Sequence, residues 1–142
     1  MPDQTSIAKK EIRLEAAVDH LGAAQDFVED FLGEACPVKT RMQIALAVEE
    51  IFVNIALYAY APETGEVRIG VELYRDPAAV AICFADRGIP YDPLAKRDPD
   101  VSLPTEERDI GGLGIYMTKQ FMDEMNYEYR DGQNILSMKK NL

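Results

Sequence analysis

The chain has 142 residues, 47% hydrophobic and 28% charged, which suits one soluble globular domain and is too short for two well-cored ones. Acidic residues outnumber basic ones 25 to 15, for a formal net charge of -10, so the chain as a whole repels phosphate backbones and anionic lipid. Neither nucleic acid nor a membrane surface is an expected partner. The N-terminal stretch lacks the continuous apolar run of a signal peptide and no segment approaches membrane-spanning length, so a cytoplasmic location is expected. Cys36 and Cys83 have neither zinc nor dithiol spacing and should be reduced. Cys83, set among Val80, Ala81, Ile82 and Phe84, reads as a small core residue.

Alternation of Ile12, Leu14 and Ala16 with Glu11, Arg13 and Glu15 predicts a half-buried strand over Ile7 to Ala16. Leu21, Ala24, Phe27, Val28, Phe31 and Leu32 then follow helical spacing, which predicts an amphipathic helix from about Val18 to Ala35 with Asp19 as its cap. A second helix is expected from Val38 to about Tyr60. It is apolar over most of its circumference, which predicts burial. Val67–Tyr74 and Ala79–Phe84 read as a hairpin through Arg75, Asp76 and Pro77. The stretch from Ala85 to Ile110 holds four prolines and no periodicity, as an irregular lid does. A helix should open at Gly111 or Gly112 and run to about Asp123, followed by strands Met125–Arg130 and Asn134–Lys140 joined at Asp131–Gly132. That order implies an α+β fold, a two-layer α/β sandwich whose mixed, mainly antiparallel sheet carries the helices on one face.

Three segments hold the chemistry. Glu50 and Asn54 lie one helical turn apart and interrupt an apolar helix, where a carboxylate needs a partner. An amide oxygen suits Mg²⁺, and the carboxylate can take a proton from a hydroxyl or water. Asp86 ends an apolar strand just before Arg87 and Gly88, where it can accept a hydrogen bond from an exocyclic amine such as that of adenine. Gly111, Gly112 and Gly114 open a helix whose free N–H groups favour an anion. Lys96, Arg97, Arg108 and Lys119, in or beside the lid, could add local positive charge for a small anionic ligand or stand as ordinary solvated charges. The glycines match neither the P-loop nor the dinucleotide fingerprint. Taken together, the three segments suit a nucleotide bound with a metal ion.

The order EEIFVN, DRGIPYDP, GGLGIYM resembles the N, G1 and G2 boxes of the GHKL ATPases, the superfamily that includes gyrase and the histidine kinases, and the C-terminal stretch from Gly111 narrows the likeness to the anti-sigma factor serine-protein kinases. The resemblance implies a single Bergerat-type (histidine-kinase-like) ATP-binding domain over 1–142 with a mobile ATP lid at about 94–111. It implies that Asn54 ligates Mg²⁺, Glu50 is the catalytic base, Asp86 bonds the adenine amine, Gly88 shapes the turn beneath the base, and Gly111, Gly112 and Gly114 hold the phosphates of ATP. It further implies phosphorylation of a serine or threonine on a STAS-type anti-anti-sigma partner, binding of a sigma factor, and a homodimer. Tyr58 stands where the family often has histidine, and Pro90 replaces a second glycine. Gln133 and Asn134 stand where relatives often place threonines that help hold adenine, and Asn134 is chemically able to substitute. The alternative is a binding module that uses ATP only to set its shape and regulates a partner without phosphoryl transfer. A sensor histidine kinase fits poorly, since His20 is the one histidine and no helix pair presents it.

Overall fold

The alternation at the start of the chain becomes strand β1 (Thr5–Glu15), with Ile12 and Leu14 half-buried and the charged residues between them turned outward. A computed structural model describes residues 5–33, 36–95 and 113–142 of the chain. Strands β2 (Glu66–Arg75) and β3 (Ala79–Asp86) form the expected hairpin and bury Val67, Ile69, Val71, Val80, Ile82 and Phe84 on one face. The β3 strand runs two residues past the predicted end at Phe84, so Asp86 is its last residue and pairs with Val67. Strands β4 (Glu124–Arg130) and β5 (Gln133–Asn141) meet at Asp131 and Gly132, whose φ values of 55° and 77° are those of a two-residue turn matched to strand twist. Among the described residues the sheet order is β1-β2-β3-β5-β4, with every neighbouring pair antiparallel.

The helices form the second layer. The first begins later than predicted: Val18–His20 is a 3₁₀ turn and α1 spans Leu21–Leu32. Asp19 sits inside that turn and makes no capping hydrogen bond, so the predicted cap is corrected. Gly33, at a φ of 54°, ends the helix before the predicted Ala35, because a left-handed residue cannot continue it. Helix α2 spans Val38–Asn54 and is continued by a π-helical turn, Ile55–Ala59. Helix α3 (Leu113–Phe121) stops two residues before Asp123, where Lys140 Nζ donates to the Phe121 carbonyl at 2.6 Å and the Asp123 amide to Lys139 O at 2.9 Å, tying the helix end to β5. Ile44, Val48, Ile51 and Phe52 of α2 meet Ile69, Ile82, Phe84 and Met138 of the sheet in the core. Burying a side chain of this size contributes about 1.5–3 kcal/mol.

Three sequence expectations change here. Helix α2 is not buried all round: Met42 is 63% exposed, Leu46 50% and, in the turn that follows, Leu57 47%, because the sheet covers only the side bearing Ile44, Val48 and Ile51. From Val38 to Ala59 this helix has 22 residues and a mean hydropathy of 1.5, so by length and composition it does reach membrane-spanning dimensions. Its inner side is instead the centre of the sandwich core. Lastly, Cys36 is the core thiol, and burial raises its pKa. Cys83 alternates with the buried Ile82 and Phe84, so it lies on the opposite sheet face and is half-buried.

Candidate functional site

Register brings Asp86, the last residue of β3, opposite Asn134, the second residue of β5. Both are buried, at 5% and 7% exposure, at an end of the sheet where two central strands finish together. Asp86 Oδ1 accepts from the Gly88 amide at 2.9 Å and from Asn134 Nδ2 at 2.9 Å. Its other oxygen, Oδ2, has no hydrogen-bond partner among the described residues. Asn134 also donates to the Ile89 carbonyl at 2.9 Å, and its own oxygen accepts from the Tyr91 amide at 3.1 Å and from the Tyr127 hydroxyl. One amide thus fixes the carboxylate and the turn after it. Burial, first, raises the Tyr127 pKa, which keeps the phenol a donor to Asn134.

The same turn is held from the helical side. Ile89 N donates to Ala59 O at 3.0 Å, and a Cβ on Gly88 would fall 2.2 Å from that same carbonyl oxygen, so glycine is what allows the backbones to meet. The Tyr60 hydroxyl accepts from Arg87 N at 2.7 Å and donates to Glu66 O at 2.6 Å. Burial, first, raises the pKa of Tyr60 as well. The π-helical turn gives these contacts their direction, since it re-aims the chain after Asn54 so that Ala59 and Tyr60 reach the end of β3.

Glu50 and Asn54 lie one turn apart on α2, as their spacing predicts, and both are half-buried. Asn54 Nδ2 donates to Glu50 Oε1 at 3.1 Å, while Asn54 Oδ1 accepts no hydrogen bond among the described residues. A Cβ on Gly114, in the first turn of α3, would fall 2.1 Å from Glu50 Oε2. The missing side chain at Gly114 therefore makes room for the Glu50 carboxylate. Thr118, a turn further on, is buried with its hydroxyl on the Gly114 carbonyl at 2.9 Å.

Asn54 and Asp86 line one cleft of about 370 Å³, with Ile55, Tyr58, Tyr91 and Ile115 among its walls. Glu50, bonded to Asn54, lines a neighbouring groove between α2 and α3. The structure thus brings together Glu50, Asn54 and Gly114 at one end and Asp86 and Gly88 at the other. Gly111 and Gly112 lie outside the described residues, as do Lys96, Arg97, Arg108 and the lid beyond Ala95. Asn134, expected only as a chemical substitute for threonine, is joined in the site by Tyr60 and Tyr127, which the sequence does not single out. No motif marks these two tyrosines: the β4–β5 pairing brings Tyr127 to Asn134, and the π-helical turn carries Tyr60 to the end of β3.

The cleft can accept a ligand N–H donor at Asp86 Oδ2 and a hard cation at Asn54 Oδ1, with apolar and aromatic walls between them. The donor chemistry fits Mg²⁺ with bound phosphates, because the protein supplies one amide oxygen and leaves the remaining positions to water and phosphate.

Sheet order, helix layer and the cleft where they meet are those of a histidine kinase-like ATPase domain, and the chain belongs to that family, which matches residues 14–140. Within it, the chain is 31% identical over 134 residues to the serine-protein kinase RsbW of Bacillus cereus (strain Q1), covering 90% of this chain and 74% of that protein. The RsbW of Bacillus thuringiensis subsp. konkukian (strain 97-27) is 31% identical over the same coverage, and that of Bacillus anthracis (strain CDC 684 / NRRL 3495) 30%. A crystal structure of the RsbU and RsbW domains of Rv1364c from Mycobacterium tuberculosis shares the fold, with a TM-score of 0.67 at 16% identity over 96% of this chain. The chain spans 33% of that longer protein.

Proposed function

We propose that this chain is an anti-sigma regulatory factor with ATP-dependent serine/threonine protein kinase activity, acting in the cytoplasm as a homodimer on a STAS-type anti-anti-sigma partner and binding a sigma factor. The observation that carries the reading is the cleft that holds an open Asp86 oxygen and an open Asn54 oxygen on facing elements. Asp86 takes the adenine amine, Gly88 brings the turn beneath the base, and Gly111, Gly112 and Gly114 serve the phosphates. Asn54 ligates Mg²⁺. When bound, Mg²⁺ supplies charge neutralisation along the phosphates. Glu50 accepts the proton of the partner's serine or threonine hydroxyl as that oxygen bonds the γ-phosphorus and the bond from that phosphorus to the β-phosphate oxygen breaks, so that ADP leaves. The Asn54 amide holds the base through Oε1, and Gly114 leaves the carboxylate space to turn. Kinship with serine-protein kinases named RsbW supports protein hydroxyl, rather than water, as acceptor.

Calorimetric titration with ATP, with and without Mg²⁺, tests the site. Wild type should bind in a Mg²⁺-dependent way, and Asn54→Ala should retain only the Mg²⁺-independent part, weaker by about tenfold or more, as losing a metal-binding contact implies. Equal binding by the variant removes Asn54 from the metal.

A further inference from the structure

Helix α2 and its π-helical extension carry more apolar side chains than the sheet covers. Met42, Leu46, Val53 and Leu57 recur every three to four residues, or a multiple of that spacing, along the side away from Ile44, Val48 and Ile51. Leu46 and Val53 line a groove of about 320 Å³ whose far wall is Met117 and Phe121 of α3. Met117 is 43% exposed, so both walls present apolar surface to solvent. The opening between the two packed helices is thus lined by large apolar side chains on each wall.

The chemistry at the end of this groove says what it receives. Glu50 lines the groove, and its Oε1 is bonded to Asn54, which lines the ATP cleft. The carboxylate therefore stands at the wall between the two spaces. A general base must come within hydrogen-bond reach of the hydroxyl that it deprotonates. With nucleotide in the cleft on the Asn54 side, the groove among the described residues offers a hydroxyl an approach to Glu50. Glu49, exposed on the rim, adds a second negative charge next to the base. An acidic rim around an apolar floor disfavours nucleic acid and anionic lipid and favours a polypeptide with apolar and basic side chains.

We propose that the groove between α2 and α3 seats the segment of the protein substrate that carries the acceptor hydroxyl, an apolar side chain of that segment lying between Leu46 and Met117 and a basic one facing Glu49. This rests on the kinase reading, since it takes Glu50 as the base. Leu46 and Met117 set affinity for the protein substrate without touching ATP, which makes the groove a specificity surface separate from the nucleotide cleft.

The test uses the full chain, radiolabelled ATP and the purified STAS-domain proteins of the source organism, with Leu46→Glu and Met117→Glu as variants. Each should raise the KM for the labelled STAS protein about tenfold, the equivalent of about 1.4 kcal/mol, while kcat and the affinity for ATP stay within about twofold. KM unchanged in both variants overturns the proposal. A variant that loses ATP affinity as well is replaced by Leu46→Gln or Met117→Gln, and the same criterion applies. Should wild type label no STAS protein, the kinase reading falls and direct binding decides the groove. A STAS protein bound by wild type and lost by both variants keeps the groove as its seat, whereas binding unaffected by the variants, or no STAS protein bound at all, overturns it.

Discussion

At one end of the cleft Asp86 is buried and its Oδ1 already accepts two hydrogen bonds, whereas at the other Glu50 and Asn54 are half-buried and share one. The Asp86 end is finished before any ligand arrives: Asn134 locks the carboxylate, the following turn and Tyr127 into a single network. The Glu50 end is left under-coordinated, with one amide oxygen open and a carboxylate that only a glycine lets approach α3. Recognition of a flat base profits from donors and acceptors fixed in advance, because discrimination comes from the mismatch that a rigid site cannot relieve. Proton and phosphoryl transfer need groups that complete their shells with the ligand itself.

The largest effect should come from the open end. Glu50→Ala removes the proposed base and should lower kcat for transfer to a STAS protein by about 10²–10⁴-fold, the usual weight of general base catalysis, while ATP affinity changes little. Stopped-flow or quench measurements at saturating ATP read this directly. Full activity in the variant would mean that Glu50 only buttresses Asn54.

Asp86→Asn comes next and probes the finished end. The amide oxygen can keep the bonds from Gly88 and Asn134, which turns an N–H₂ group toward the ligand where an acceptor stood. Loss of a charged hydrogen bond of about 1.5–3 kcal/mol should weaken ATP binding by about 10–150-fold. GTP or ITP, which present a carbonyl at that position, should lose much less. An equal loss for all three nucleotides would show that Asp86 does not meet the base.

Asn134→Ala should act on both stability and affinity. It removes at once a partner of the buried Asp86, of the Ile89 carbonyl and of the half-buried Tyr127 hydroxyl, and a buried polar group that loses its partner costs about 1–3 kcal/mol. Denaturant unfolding should show a loss in that range, and ATP added in excess should recover part of it by mass action. Asn134→Thr should recover affinity better than stability, since a hydroxyl cannot make all five of the amide's bonds.

The contrast also explains what could be read beforehand. Glu50 and Asn54 sit on one continuous helix, where a spacing of four decides that they meet, so their pairing was legible from the chain. The strands and both hairpins followed from alternation and from turn residues such as Asp131–Gly132. Asp86 and Asn134 meet only because β5 inserts beside β3 in one register, and nothing local in either strand specifies that neighbour. The outward stripe of α2 was hidden for a related reason. An all-round apolar helix reads as buried, and only the width of the sheet shows how much of it is covered. Asp19 looked like a cap because its residue type is right, yet the chain needed a 3₁₀ turn there to enter α1.

The finest distinction between the two ends rests on their glycines, one at each. A methyl on Gly88 would lie 2.2 Å from Ala59 O and 2.6 Å from Ala59 C, backbone atoms held in turn by the Ile89 amide, so nothing nearby can step aside. Gly88→Ala should therefore cost about 1–3 kcal/mol, as overpacking does, and lower ATP affinity by displacing the turn. A methyl on Gly114 meets the tip of the Glu50 side chain, which can rotate away, and it joins the first turn of a helix that prefers alanine by up to about 1 kcal/mol. Gly114→Ala should leave thermal unfolding within about 1 kcal/mol of wild type and still slow phosphoryl transfer, because the base leaves its place. The same substitution thus separates a rigid end, where shape is stability, from an adaptable end, where shape is rate. Similar stability losses at both positions would show that the Glu50 end is as tightly built as the Asp86 end.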